Sequence, residues 1–359
     1  MTCRRLLWIA SAASLLLAGI VLPVLPAASA DAAGLIKCGA TIKTNTTLTS
    51  DLGPCPATAI KFGADNITLD LNGHTVFGTA AKHGKVPGIV GSHKVGDTVQ
   101  NGTVKGFDTG VYFEFGSQET ITRLDLHDNI GTASGNGIFG EGVQLFKTNN
   151  TAITDNVVTH NGTFAGIDLF DSSGNTVSRN TLTNNNVLES ASNHCGVKGV
   201  QQDIGIWVVF LTIPTTGNIV SDNLVLGSGL DGIQISRFAN SNTVSGNAVA
   251  NNGFGQVLHA CRDGDGIAIF GNSNLIQGNG SSSNGFNGID VVLSLDKTGA
   301  PVGGQSNQIL SNVAVGNGKG INSAGIAFDL VDTNLTPPCD SNLWSHNVAV
   351  TSNQSCVRN

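Results

Sequence analysis

The sequence is poor in the side chains that most folds rely on for cores and charged surfaces. Aromatic residues make up 5% of its 359 positions and charged residues 12%, with one tyrosine and one methionine. No C-x-x-C spacing occurs and the eight histidines are scattered, which argues against a zinc site. Beyond the first 30 residues no apolar run is long enough to cross a bilayer. Positive charge is scarce as well. Setting aside Arg4 and Arg5 leaves 16 basic against 25 acidic residues, a net charge near −9. Nucleic acid is thereby excluded as a partner, because phosphate binding needs a positive field. An anionic polymer is disfavoured too, unless a local patch or bridging cations reverse the bulk field. Gly, Asn, Ser and Thr abound instead, a composition that a disordered tract would share. A regular beat of Ile, Val and Leu runs through them, however, so the chain is expected to bury a core.

Arg4 and Arg5 precede the apolar run Leu6–Leu22, and Ala28, Ser29 and Ala30 supply a small-residue cleavage site. This predicts a secretory signal peptide over 1–30. An uncleaved anchor is the alternative, although Pro23 and Pro26 end the run. The arginine pair also permits twin-arginine export. Six cysteines follow, at 38, 55, 195, 261, 339 and 356, an even number that reads as disulfides in an exported chain. Proximity suggests Cys38–Cys55 and Cys339–Cys356, leaving Cys195–Cys261. A cap segment over 31–60 and one repetitive domain over 61–359 are expected, in a monomeric protein found outside the cytoplasm or at the cell surface.

Two beats interlock along the chain. Asparagines recur five residues apart, at 175, 180 and 185, then 218 and 223, 242, 247 and 252, 274, 279 and 284, and 307, 312 and 317. Glycine followed by an alternating apolar run recurs at Gly88, Gly110, Gly142, Gly166, Gly205, Gly232, Gly266, Gly288 and Gly325, with a shortest spacing of 22 residues. Periods of this size mean a solenoid. Each unit holds three short runs of period two, rich in β-branched residues, as in "GIDLF", "NTVS" and "NTLT". That pattern fits strands and not helices. Three strands per turn, stacked in parallel, make a triangular coil.

At these residues the chain resembles the right-handed parallel β-helix family, the pectin-lyase-like fold, over roughly residues 60–355; the opening "NITLDLNGHTVFG" (66–78) resembles that family's first coils. The resemblance implies that each GI-x run is a first strand. Residues 175–178 are then a second strand, Asn180 a tight corner and Thr181–Thr183 a third strand. Asparagine tolerates a left-handed corner, and its amide can bond the same amide one coil away. About nine to eleven coils are expected, with 35–56 and 337–357 closing the two strand edges.

Insertions interrupt the beat at 186–202, with His194, Cys195 and Lys198, and at 253–265, with His259, Cys261, Arg262, Asp263 and Asp265. Two more, at 293–305 and 331–342, follow first strands. Together they could wall a groove floored by the first strands. Alternation predicts an outward row of Gln144, Asp168, Trp207, Gln234, Ala268 and Asp290. Trp207 suits a sugar face, with Asp168, Gln234 and Asp290 for its hydroxyls, or is an ordinary half-buried tryptophan. Asp231 and Asp265 precede their glycines in consecutive coils, about 5 Å apart if the register holds. Two such carboxylates can form an acid pair for glycoside hydrolysis, with Arg237 or Arg262 countering charge and His259 carrying protons. Resemblance to β-helix polysaccharide lyases implies instead a carboxylate–Ca²⁺ cluster with a basic proton acceptor. The plain alternative is that each aspartate caps a turn. The acidic spacing of "RDGDG" (262–266) is only a fragment of a calcium loop.

Enzyme signatures of the family are missing: no "WIDH", no "NTD", "GHG" and "RIK" set, and no "DPH". With eight histidines and a single methionine inside the leader, the chain is also poorly equipped to handle copper. The expectation is an exported β-helix protein that binds, and if an enzyme cleaves, a carbohydrate polymer. The alternative is a non-catalytic surface or adhesion solenoid.

Overall fold

The computed structural model describes residues 36–79, 86–131, 140–162, 164–186, 203–253, 264–318, 326–334 and 341–358. Short β-branched runs separated by Gly, Asn and Ser fold here into a right-handed parallel β-helix. Its first face is an 11-stranded sheet running from Ala40–Ile42 to Leu330–Asp332. The second and third faces rise alongside it. Thr176–Ser178 pairs in parallel with Ile219–Ser221, and Thr181–Thr183 with Leu224–Leu226. Near the N-terminal end the two faces share long strands, Thr98–Lys105 and Thr120–His127.

Each coil sends residues inward at matching heights, two from its first strand (as Ile167 and Leu169) and one from a short second or third strand (as Val177 and Leu182). Ile167, Ile206, Ile233, Ile267 and Ile289 line the first face, while Val177, Val220, Val244, Ile276 and Ile309 line the second; all are fully buried. These columns are the core that the apolar beat foretells. The glycine of the beat is explained by closeness. A Cβ on Gly205 would lie 2.4 Å from both the Gly232 carbonyl oxygen and a Val225 methyl.

The asparagines divide their expected work between two positions. Asn180 does not take the left-handed backbone; Arg179, just before it, does so at φ 55°, as do Asp222 before Asn223 and Asn251 before Asn252. The beat asparagine turns its side chain inward and builds the ladder. Asn180 donates from its backbone N–H and from Nδ2 to Asn223 Oδ1, at 2.9 and 3.0 Å. Asn223 repeats both bonds to Asn247, and Asn247 to Asn279. An amide can accept from one coil while donating to another, so asparagine is selected here for hydrogen bonding and not for its φ. In the neighbouring ladder, Asp97, Glu119 and Thr151 replace asparagine below Asn175.

One strand lies off its expected place. The last first-face strand is Leu330–Asp332, paired with Ile289–Val291, and not the run after Gly325. Leu330 is fully buried whereas Ile326 is 81% exposed, so burial chose the later of two alternating runs. Cys38 and Cys55 form a disulfide, and their segment supplies the first strand of each face. Cys356 is also disulfide-bonded. Cys195, Cys261, Cys339 and the leader lie outside the described residues. No helix among the described residues is long and apolar enough to cross a membrane.

Candidate functional site

The first face carries the polar residues that the core cannot absorb. Its outward row runs in register from Tyr112 through Gln144, Asp168, Trp207, Gln234, Ala268 and Asp290 to Val331. The position before each glycine also faces outward, because the corner breaks the alternation. Gln144 reaches Glu141 at 3.5 Å, Gln234 reaches Asp231 at 2.9 Å and Asn287 reaches Asp290 at 2.8 Å, three pairs of the same spacing. Asp231 and Asp265 accordingly fall in adjacent coils of one row, as the repeat implies. Their carboxylates serve the turns: Asp231 Oδ1 accepts from the Asp265 N–H at 2.9 Å, and Asp265 Oδ1 from the Asn287 N–H at 2.7 Å.

Toward the N-terminal end this face is closed. Asp168, Gln144 and Glu141 have no solvent exposure and Trp207 has 8%. Trp207 donates to Ser236 Oγ at 2.6 Å and packs on Phe164, in an outer apolar cluster with Phe170 and Leu230. It is thus a covered tryptophan and not an open platform. The Gln144 amide bonds Asp168 and Glu141 together. Burial pushes the Asp168 carboxyl from 3.8 up to about 8. Burial, reinforced by the charge of Asp168, lifts Glu141 well above its ordinary value. Tyr112, bonded to Glu114 at 3.0 Å, is raised by burial and by that carboxylate. Glu141 escaped the sequence reading, although it precedes Gly142 as Asp231 precedes Gly232; comparing that one position across coils would have found it.

Toward the C-terminal end the face opens into a cleft of about 370 Å³. Asp265, Asn287, Asp290, Thr333 and Asn353 are its polar lining, the first three largely buried, and Phe270, Phe286 and Phe328 line it with aromatic carbon. The hairpin of Ser294–Leu295 and Pro301–Gly303 stands in the 293–305 insertion. Arg237 does not ion-pair with Asp231 or Asp265 among the described residues; its guanidinium lies over the Phe238 ring, 4.9 Å from the centroid. His194, Lys198, His259, Arg262 and Asp263 lie outside the described residues.

A parallel β-helix with a polar cleft on its first face is the class that fold and site define. Residues 66–279, more than half the chain, match the family described as periplasmic copper-binding protein (NosD), and the chain belongs to that family. No curated protein is significantly similar to it. Among solved structures, an alginate lyase from Paenibacillus sp. str. FPU-7 is similar at 13% identity and TM-score 0.50, over 90% of this chain and 91% of that one. A periplasmic alginate epimerase mutant is similar at 15% identity and TM-score 0.56, over 88% of this chain and 70% of that one. The A-module of an Azotobacter vinelandii mannuronan C-5 epimerase follows at 15% identity and TM-score 0.50, covering 88% of this chain and 80% of that one. At these identities the likeness is one of fold.

Copper fits the described residues poorly. Copper ions favour thiolate, thioether and imidazole donors. Among the described residues no group of three His, Cys, Asp or Glu could hold a metal, and Cys38, Cys55 and Cys356 are in disulfides. His127 and His160 come close together, but each turns Nδ1 to Asp128, at 2.8 and 2.6 Å.

Proposed function

We propose that this is an exported β-helix protein that binds a carbohydrate polymer on its first face, in the cleft at Asp265, Asn287 and Asp290. The cleft itself carries the reading. A lining that combines carboxylate and amide groups with phenyl rings matches the hydroxyls and C–H faces of a sugar. The alginate-acting neighbours support it by analogy of fold. Gln234 and Asp290 are its proposed contacts, whereas Asp168 and Trp207, in the same row, are covered. Export is supported by the leader in the sequence, by the Cys38–Cys55 disulfide and by the periplasmic description of the family.

A non-catalytic role is the second reading, favoured by the turn bonds that occupy Asp231 and Asp265. A polysaccharide panel separates the cases. Unsaturated products seen by ultraviolet absorbance mean a lyase, reducing-sugar release without them means a hydrolase, and retention in affinity electrophoresis alone means a binding protein. Asp290→Asn and Phe328→Ala should each weaken retention about tenfold or more. No retention of any polymer by the wild type, or retention unchanged in both variants, would sink the proposal.

A further inference from the structure

A second depression, of about 620 Å³, lies away from the cleft at the corner that follows the first strands. Its base is a column of one residue per coil: His93, Phe115, Lys147 and Asp171. The residues just before them, Ser92, Glu114, Phe146 and Phe170, pair in register. All four column residues take positive φ, between 50° and 55°. That backbone suits glycine or asparagine and is an outlier for phenylalanine. Nor does burial repay it, since Phe115 is 44% exposed. Strain held at an exposed aromatic is the kind that function maintains.

The surroundings of Phe115 specify a chemistry. His93 stacks on its ring at 4.9 Å and Phe146 meets it edge-on at 5.5 Å. Lys147 Nζ lies 5.2 Å from the Phe146 centroid and 6.0 Å from that of Phe115, and no carboxylate ion-pairs with it among the described residues. Asp171 is the acidic group of the lining, and it is engaged by the Leu211, Thr212 and Ile213 N–H groups and the Thr212 hydroxyl. An apolar ring beside an ammonium that no carboxylate among the described residues pairs with thus stands on a chain of net negative charge.

We propose that this corner binds a uronate sugar, its C–H groups packed against the exposed part of Phe115 and its carboxylate on Lys147. Apolar contact and one localised cation supply an attraction that the net charge of the chain denies to an anionic polymer. The site extends the carbohydrate reading to another face and is separable from the cleft by experiment.

The test is calorimetric titration of the full chain with tetragalacturonate, tetramannuronate and neutral cellotetraose. The wild type should bind at least one uronate oligomer, more weakly in about 0.5 M salt, where the Debye length is only a few ångströms. Lys147→Gln should weaken binding about tenfold, the loss of one charge-assisted contact. Phe115→Gly should abolish binding while the thermal midpoint holds or rises, because glycine relaxes the left-handed backbone. A purely structural phenylalanine would show the opposite pattern, a lowered midpoint. The proposal is overturned by any one of three results: neither uronate binds, cellotetraose binds equally well, or Phe115→Gly destabilises the fold. Binding lost in Asp290→Asn but kept in both corner variants would assign the ligand to the cleft and also overturn it.

Discussion

Replacing Asn223 by alanine tests the account of what holds the coils together. The Asn223 side chain accepts from Asn180 N at 2.9 Å and Asn180 Nδ2 at 3.0 Å. It donates to Asn247 Oδ1 at 3.0 Å and to the Val177 carbonyl at 2.9 Å. Alanine removes all four bonds and strands the backbone N–H of Asn180, which is buried. An orphaned buried donor costs about 1–3 kcal/mol and each of the three further lost bonds about 0.5–1.5, so roughly 2.5–7.5 kcal/mol is expected. Total stabilities are typically about 5–15 kcal/mol, so the loss should dominate unfolding. Urea denaturation followed by far-ultraviolet circular dichroism measures it, with the m-value compared between variants. Asn251→Gly is the internal control. Asn251 is exposed at φ 55° and sits one residue before a ladder asparagine. Glycine accepts that backbone, so the change should stay within about 0.5 kcal/mol. A loss below about 1 kcal/mol for Asn223→Ala, or equal damage from Asn251→Gly, would refute the assignment of hydrogen bonding to one position and left-handed geometry to the other.

Asp168 makes stability depend on pH. Its folded pKa, raised by burial to about 8, exceeds the ordinary 3.8, so the native state keeps a proton that the unfolded chain releases. The native state binding more protons, stability should fall as pH rises from about 4 to 8 and level off above, by a few kcal/mol at most. Glu141 acts in the same direction. Asp168→Asn should flatten this profile in unfolding measured across that range; an unchanged slope would count against the buried carboxyl as its source. The Cys38–Cys55 crosslink joins residues separated by 17 in sequence. The Cys38→Ser/Cys55→Ser double variant should lose about 3 kcal/mol by chain entropy. Hydrogen exchange should speed up first in the strands over 40–62, and uniform acceleration along the chain would contradict that local role.

Much of this protein was legible in its residue order. Alternating Ile, Val and Leu core residues, glycines before first strands and asparagines every five residues define a coil, because neighbouring turns of a solenoid repeat the same contacts at short range. The in-register row from Gln144 to Asp290 followed from that repetition alone. Period by itself could not say which of two alternating runs, after Gly325 or at Leu330–Asp332, would enter the sheet; burial of Leu330 decided it. Nor could it separate the left-handed residue from the ladder asparagine, since both lie at one corner and only three-dimensional contacts tell them apart. The candidate site was least legible of all. Whether Trp207 is open or covered, whether Asp231 serves a turn or a substrate, and whether the face opens at Asp290 depend on neighbours supplied by other coils and insertions. Those contacts span more than 20 residues of sequence, and only the tertiary structure brings them together.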